Sequence, residues 1–113
     1  MRVLAAVGAV FCSLAVAAGA WAMHGALDAH AKERLALAAL FGFAHGAALV
    51  LLAPVAGTRL QQASCWVVAA GTLLFCGSLA GAALAGWPPT AAPFGGTLLI
   101  LGWLLVAAGI LVD

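Results

Sequence analysis

The sequence predicts an all-α polytopic membrane protein: one domain, residues 1–113, built as an antiparallel bundle of four transmembrane helices. Three observations carry this. First, four long stretches contain no Asp, Glu, Lys or Arg: Val3–Met23, Leu35–Ala53, Ala63–Ala85 and Phe94–Val112. Each holds about 20 residues, enough at about 1.5 Å per residue to cross a hydrocarbon core of about 30 Å. Second, 67% of the residues are hydrophobic and 6% are charged, where a soluble domain carries about 25% charged residues. The mean hydropathy is +1.25, and there is too little polar surface to cover a water-soluble core. Third, a chain in lipid must satisfy its own backbone groups, which only helices and closed barrels do. Four segments cannot close a barrel of about 8 or more strands.

Every charged residue lies outside these stretches: Arg2, Asp28, Lys32, Glu33, Arg34, Arg59 and Asp113. The first helix is expected over about 3–23. Met1-Arg2 followed by an apolar run and Ala18-Gly19-Ala20 resembles a cleavable signal. The run is longer than the roughly 7–15 residues of a signal core, so it is expected to be retained. Trp21 suits the headgroup level, and Gly25 suits a helix stop. The second helix is expected over about 28–53, with Asp28 as its cap, an Asp28/Lys32 pair at i, i+4, and an apolar body from Leu35. Pro54 and Gly57 end it, and Arg59, Gln61 and Gln62 are assigned to the connection. The third is expected over about 63–85, between Trp66 and Trp87, and Pro88-Pro89 stop it because neither can donate a backbone hydrogen bond. The fourth is expected over about 94–112, with Pro93 at its first position. Short connections make consecutive helices antiparallel neighbours. Arg2 and Arg59 fall on one side, Lys32 and Arg34 on the other. Because the first helix usually dominates orientation, both termini are expected in the cytoplasm.

Helices in lipid have no hydrophobic drive to associate, so close backbone approach matters. Gly42-x-x-x-Gly46 on the second helix and Gly77-x-x-x-Gly81 on the third are candidate packing surfaces. Gly95, Gly102 and Gly109 recur every seven residues and line one stripe of the fourth, as left-handed packing near +20° requires. A faint internal likeness joins Phe11-Cys12-Ser13-Leu14-Ala15 to Phe75-Cys76-Gly77-Ser78-Leu79-Ala80.

Chemistry-bearing residues are few. His45 lies near the middle of the second helix, where a titratable group is a functional candidate. Two readings are open. It relays a proton or ligates a cofactor, or it is a neutral histidine at pH 7 bonded to Ser78, Thr72 or a backbone carbonyl inside the bundle. His30 and His45 are about 22 Å apart along one helix and cannot share an iron. His24 and His30 can meet at the membrane surface, but no spaced metal motif accompanies them. Trp103 sits at the centre of the fourth helix, where its indole N–H needs a partner, and it is expected inside the bundle. Cys12, Cys65 and Cys76 form no C-x-x-C and read as apolar packing residues. No cofactor or metal site is expected. Nucleophile–base pairs, paired carboxylates and phosphate loops are missing, so the chain is not expected to be an enzyme. A formal charge of +1 leaves no footprint for nucleic acid.

Several of these residues also carry a resemblance. Gly25-Ala26-Leu27-Asp28-Ala29-His30 is followed by His45-Gly46-Ala47-Ala48-Leu49. Then come Gly71-x-x-Leu74-Phe75-Cys76-Gly77-Ser78-Leu79 and Gly86. The most specific stretch is Ala92-Pro93-Phe94-Gly95-Gly96, running on through Leu101-Gly102-Trp103. In this order the chain resembles the small inner-membrane family known as domain of unknown function 423, to which a mitochondrial transmembrane protein is related. The family pattern more often has Gly where Asp28 stands and Thr where Ala92 stands. The resemblance implies four transmembrane helices, a retained first helix and a bacterial inner (plasma) membrane; it implies no activity.

Two functional expectations follow. One is an accessory or structural subunit embedded in the bilayer and packed against a larger membrane complex, such as a respiratory one. The other is a small homo-oligomeric transporter or channel using His45 and Ser78.

Overall fold

The computed structural model describes residues 1–112; Asp113, one of the charges outside the apolar stretches, lies outside the described residues. The chain forms four α-helices: α1 Arg2–His24, α2 Ala29–Leu52, α3 Arg59–Ala85 and α4 Ala92–Leu111. No strand occurs among the described residues. All four helices are long and apolar enough to cross a membrane, and they build a body of 48 × 24 × 18 Å.

Local chemistry sets the helix ends. Asp28 accepts a hydrogen bond from the Ala31 N–H at 2.9 Å and so caps α2. A single 3₁₀ turn, Ala53–Val55, carries Pro54 and finishes the span. α3 opens at Arg59, upstream of its charge-free stretch, which corrects the assignment of Arg59, Gln61 and Gln62 to a connection. The cause is a reciprocal cap. Thr58 Oγ1 accepts from the Gln61 N–H at 3.1 Å, and Gln61 Oε1 accepts from the Thr58 N–H at 3.2 Å. At its other end Gly86 adopts the left-handed conformation (φ 69°), open to glycine at little cost. Pro93 sits in the first turn of α4, where its missing N–H would have had no helical partner.

Packing follows chain order. α2 and α3 are the inner pair, α1 lies on α2 and α4 lies on α3; α1 and α4 share no seam. The two outer helices bury one narrow stripe each. On α4 that stripe is Gly95, Leu99, Gly102 and Gly109. A Cβ on Gly95 would collide with the Phe75 backbone. One on Gly102 would lie 2.8 Å from Val68 Cγ2, and one on Gly109 3.1 Å from Gln61 Cγ. Both sets step by seven residues in opposite directions, so the α3–α4 seam is an antiparallel heptad seam closed by glycine. On α1 the stripe is Leu4, Gly8, Ala15 and Ala22. Gly8 and Gly46 meet backbone to backbone: a Cβ on either would lie 2.5–2.6 Å from the other's carbonyl oxygen. An apolar cluster of Leu4, Leu49, Ala53, Cys65, Val68, Ala69 and Leu99 ties the four helices together.

One expected packing surface is corrected. A Cβ on Gly77 would meet nothing within 4 Å, and Gly81 is covered by the indole of Trp87 from its own helix end. The glycine that brings α3 close to α4 is Gly71, whose Cβ would lie 3.0 Å from the Leu99 nitrogen. The Phe11 and Phe75 sequences that resemble each other lie on an outer and an inner helix, so they do not occupy equivalent places in the packing.

Candidate functional site

His45 and Phe41 are four residues apart on α2 and so share a face. His45 is 8% exposed. Its Nδ1 lies 2.7 Å from the Phe41 carbonyl oxygen, and the Trp103 indole Nε1–H donates to its Nε2 at 3.0 Å. A carbonyl oxygen only accepts and an indole N–H only donates. His45 is therefore the neutral Nδ1–H tautomer, with both nitrogens engaged.

The surroundings are aromatic. Phe41 stacks on His45 with ring centroids 5.6 Å apart and planes within 16°, and Phe75 lies 4.8 Å from Phe41. The Trp103 ring meets His45 at 5.8 Å. The run crosses from α3 through α2 to α4. Its α4 end is positioned by Gly102, which beds against Val68 of α3. The next residue points about 100° further round the helix, and that rotation brings the Trp103 N–H to α2.

Of the partners expected for His45, the structure supplies the backbone carbonyl, that of Phe41 on its own helix, and neither hydroxyl: Thr72 Oγ1 donates instead to the Val68 carbonyl of its own helix at 2.7 Å. Ser78 is half-buried one turn beyond the Phe41–Phe75 contact. One expectation is corrected: Trp103 is not enclosed in the bundle. It is 42% exposed, with its ring at the bundle edge and its N–H turned inward. The aromatic latch uses the side of α4 that the glycine stripe leaves free, so the ring flanks the seam rather than entering it.

His24 and His30 are both exposed near the α1–α2 connection. Among the described residues, no group of three or more His, Cys, Asp or Glu is placed to hold a metal ion. Cys12, Cys65 and Cys76 are free thiols, and Cys12 donates to the Phe43 carbonyl at 3.6 Å.

A second polar tie joins α3 to α4. Beyond its part in the cap, Gln61 Nε2 donates to the Gly109 carbonyl at 3.3 Å, linking the start of α3 to the end of α4. The Thr58-x-x-Gln61 spacing was the available signal. Ser64, also buried, donates to the Gln61 carbonyl at 2.7 Å. Among the described residues every buried side-chain nitrogen or oxygen has a partner.

Four membrane-length apolar helices closed over a few internally paired polar groups define a small polytopic membrane protein. The chain belongs to the family described as Protein of unknown function (DUF423), whose model matches residues 15–96. It is 29% identical over 113 residues to a UPF0382 membrane protein of Staphylococcus aureus, covering 94% of this chain and 93% of that one. A UPF0382 membrane protein of Staphylococcus epidermidis is 30% identical over the same shares. One from Staphylococcus saprophyticus is 30% identical over 116 residues, 96% of this chain and 97% of the relative. No solved structure matches the chain. The matched family region contains His45 and ends before Trp103.

Proposed function

We propose that the protein is a non-catalytic structural or accessory subunit that packs against a larger membrane complex in the bacterial inner (plasma) membrane. The observation that carries this reading is the closure of His45. A proton relay or an ion path needs a group free to exchange partners, whereas both imidazole nitrogens here are held by protein. Thr72 and Ser64, the other buried polar side chains, bond to carbonyls of their own helix. What the molecule offers outward is apolar: Val10 and Leu14 on α1, and Ile100, Leu104 and Ile110 on α4, are exposed. Such faces meet lipid or other transmembrane helices. Both termini lie in the cytoplasm on this reading, because Arg2 precedes the first span.

Solubilisation of a tagged chain in mild detergent, followed by native mass spectrometry, tests the assignment. Comigration with one defined larger membrane complex supports it. A free homo-oligomer that transports a solute in proteoliposomes, with transport lost in His45→Gln, contradicts it and makes the protein a transporter. A reporter fused to the C-terminus reads the orientation.

A further inference from the structure

α1 and α3 stand apart on one side of α2, leaving a half-open groove of about 160 Å³ whose walls include Phe11, Leu14 and Ala15 of α1 and Cys76 and Gly77 of α3. Gly42 and Ala38 of α2 form its floor. This is the space into which Gly77 faces with no atom near a Cβ. A glycine destabilises a helix interior relative to alanine, and the α3–α4 seam does not use this one.

The groove's own lining is uncharged, and a cation stands one helical turn past its end. Positions 34, 38 and 42 are spaced i, i+4, i+8 and lie on one face of α2. Arg34, half-buried, therefore stands one turn beyond Ala38 toward the α1–α2 connection, with exposed His30 one turn further. From Arg34 to Gly42 is about 12 Å along the axis, less than one leaflet of a core about 30 Å thick.

We propose that the groove holds one acyl chain of a glycerophospholipid from the leaflet on the α1–α2 loop side, with the lipid phosphate on Arg34. Size favours this occupant. A helix with side chains is about 10–12 Å across and cannot seat in so small a space. An apolar cavity of about 150 Å³ takes a molecule the size of benzene, so the groove suits a hydrocarbon segment of about six carbons. Charge favours it too. The Arg fork binds phosphate with two parallel hydrogen bonds, and Arg34 is the cation on the groove's own helix face. The lipid fills the gap between α1 and α3, which otherwise pack against each other only briefly.

Two variants separate lipid binding from folding. A Cβ at Gly77 meets no described atom within 4 Å, so Gly77→Leu enters the open groove without disturbing a helix seam, and the helix gains propensity. Arg34→Gln removes the phosphate fork and leaves the groove open, and Arg2→Gln at the opposite surface is the control. Native mass spectrometry in detergent micelles supplied with dioleoylphosphatidylglycerol counts retained lipid per chain, with thermal melts alongside. The expected result is one lipid retained by the unaltered protein and by Arg2→Gln. Gly77→Leu loses it by about tenfold or more in retained fraction at an undiminished melting temperature, and Arg34→Gln weakens it several-fold. The proposal is overturned if the unaltered protein holds no lipid, if Gly77→Leu retains it, or if both arginine variants lose it equally. It is also overturned if Gly77→Leu abolishes a dimer of this chain while lipid is unaffected, since the groove's occupant is then a second copy.

Discussion

α3 carries glycines on two faces, and the faces fare differently. Toward α4, Gly71 lies against the Leu99 and Gly95 backbone, and Gly95 in turn lies against Phe75. On another face Gly77 meets nothing and Gly81 shelters the Trp87 ring. The second pair has the better-known spacing, G-x-x-x-G, yet it makes no helix–helix contact. What distinguishes the closed seam is the facing helix. Phe75, Val68 and Gln61 recur every seven residues, matching Gly95, Gly102 and Gly109 in the antiparallel sense. A glycine pair permits close approach, and only a partner of matching period produces it.

Substitutions break this comparison in a defined order. Gly95→Leu has the largest effect. Its Cβ meets the Phe75 backbone, which has no rotamer to yield, and the cost is about 3 kcal/mol or more. Thermal unfolding in micelles should show a large loss or no folded protein; wild-type stability would remove the seam from the description. Gly102→Leu costs less, about 1–3 kcal/mol, because its Cβ meets a Val68 methyl at 2.8 Å before any backbone atom; Val68 is β-branched and buried, so relief comes from a small shift of the helices. The same melts measure it, and a loss equal to that of Gly95→Leu would show that side-chain and backbone clashes are not distinguished here.

Much of this was legible in advance. Four charge-free stretches mark four spanning helices, and the period of seven singles out the α4 stripe. The matching α1 stripe is hidden in the sequence because two of its members, Ala15 and Ala22, are alanines in an alanine-rich helix, leaving Gly8 without visible company. Polarity assigns Gln61 to a loop, whereas its three-residue spacing from Thr58 is a cap signature. His45 and Trp103 each stood out as polar groups at depth. That they satisfy each other depends on the rotation of α4 set by Gly102 against Val68, a contact between residues far apart in the chain.

Trp103→Phe comes next in size. It leaves His45 Nε2 without its donor in a region without water, at about 1 kcal/mol, near the usual range for interhelical bonds in membranes. His45→Leu should match it, since it orphans the Trp103 N–H, while His45→Gln keeps a donor and an acceptor and should lose less. A double-mutant cycle on stability checks the pairing, and full additivity of Trp103→Phe with His45→Leu would dissolve it. The smallest effect belongs to Gly77→Leu, which should leave stability unchanged or raise it by up to about 1 kcal/mol. A loss comparable to that of Gly102→Leu would mean the groove face is closed after all.

The claim on which the functional reading rests is that His45 is closed to exchange, and one spectrum tests it. Solid-state ¹⁵N NMR of the histidine-labelled protein in phospholipid bilayers at neutral pH reads the protonation of each ring nitrogen. The latch predicts a neutral His45 with the proton on Nδ1, an unprotonated Nε2 shifted by an accepted hydrogen bond, and loss of that shift in Trp103→Phe. An imidazolium, or a neutral ring with the proton on Nε2, would contradict it and return His45 to the candidates for a membrane pathway.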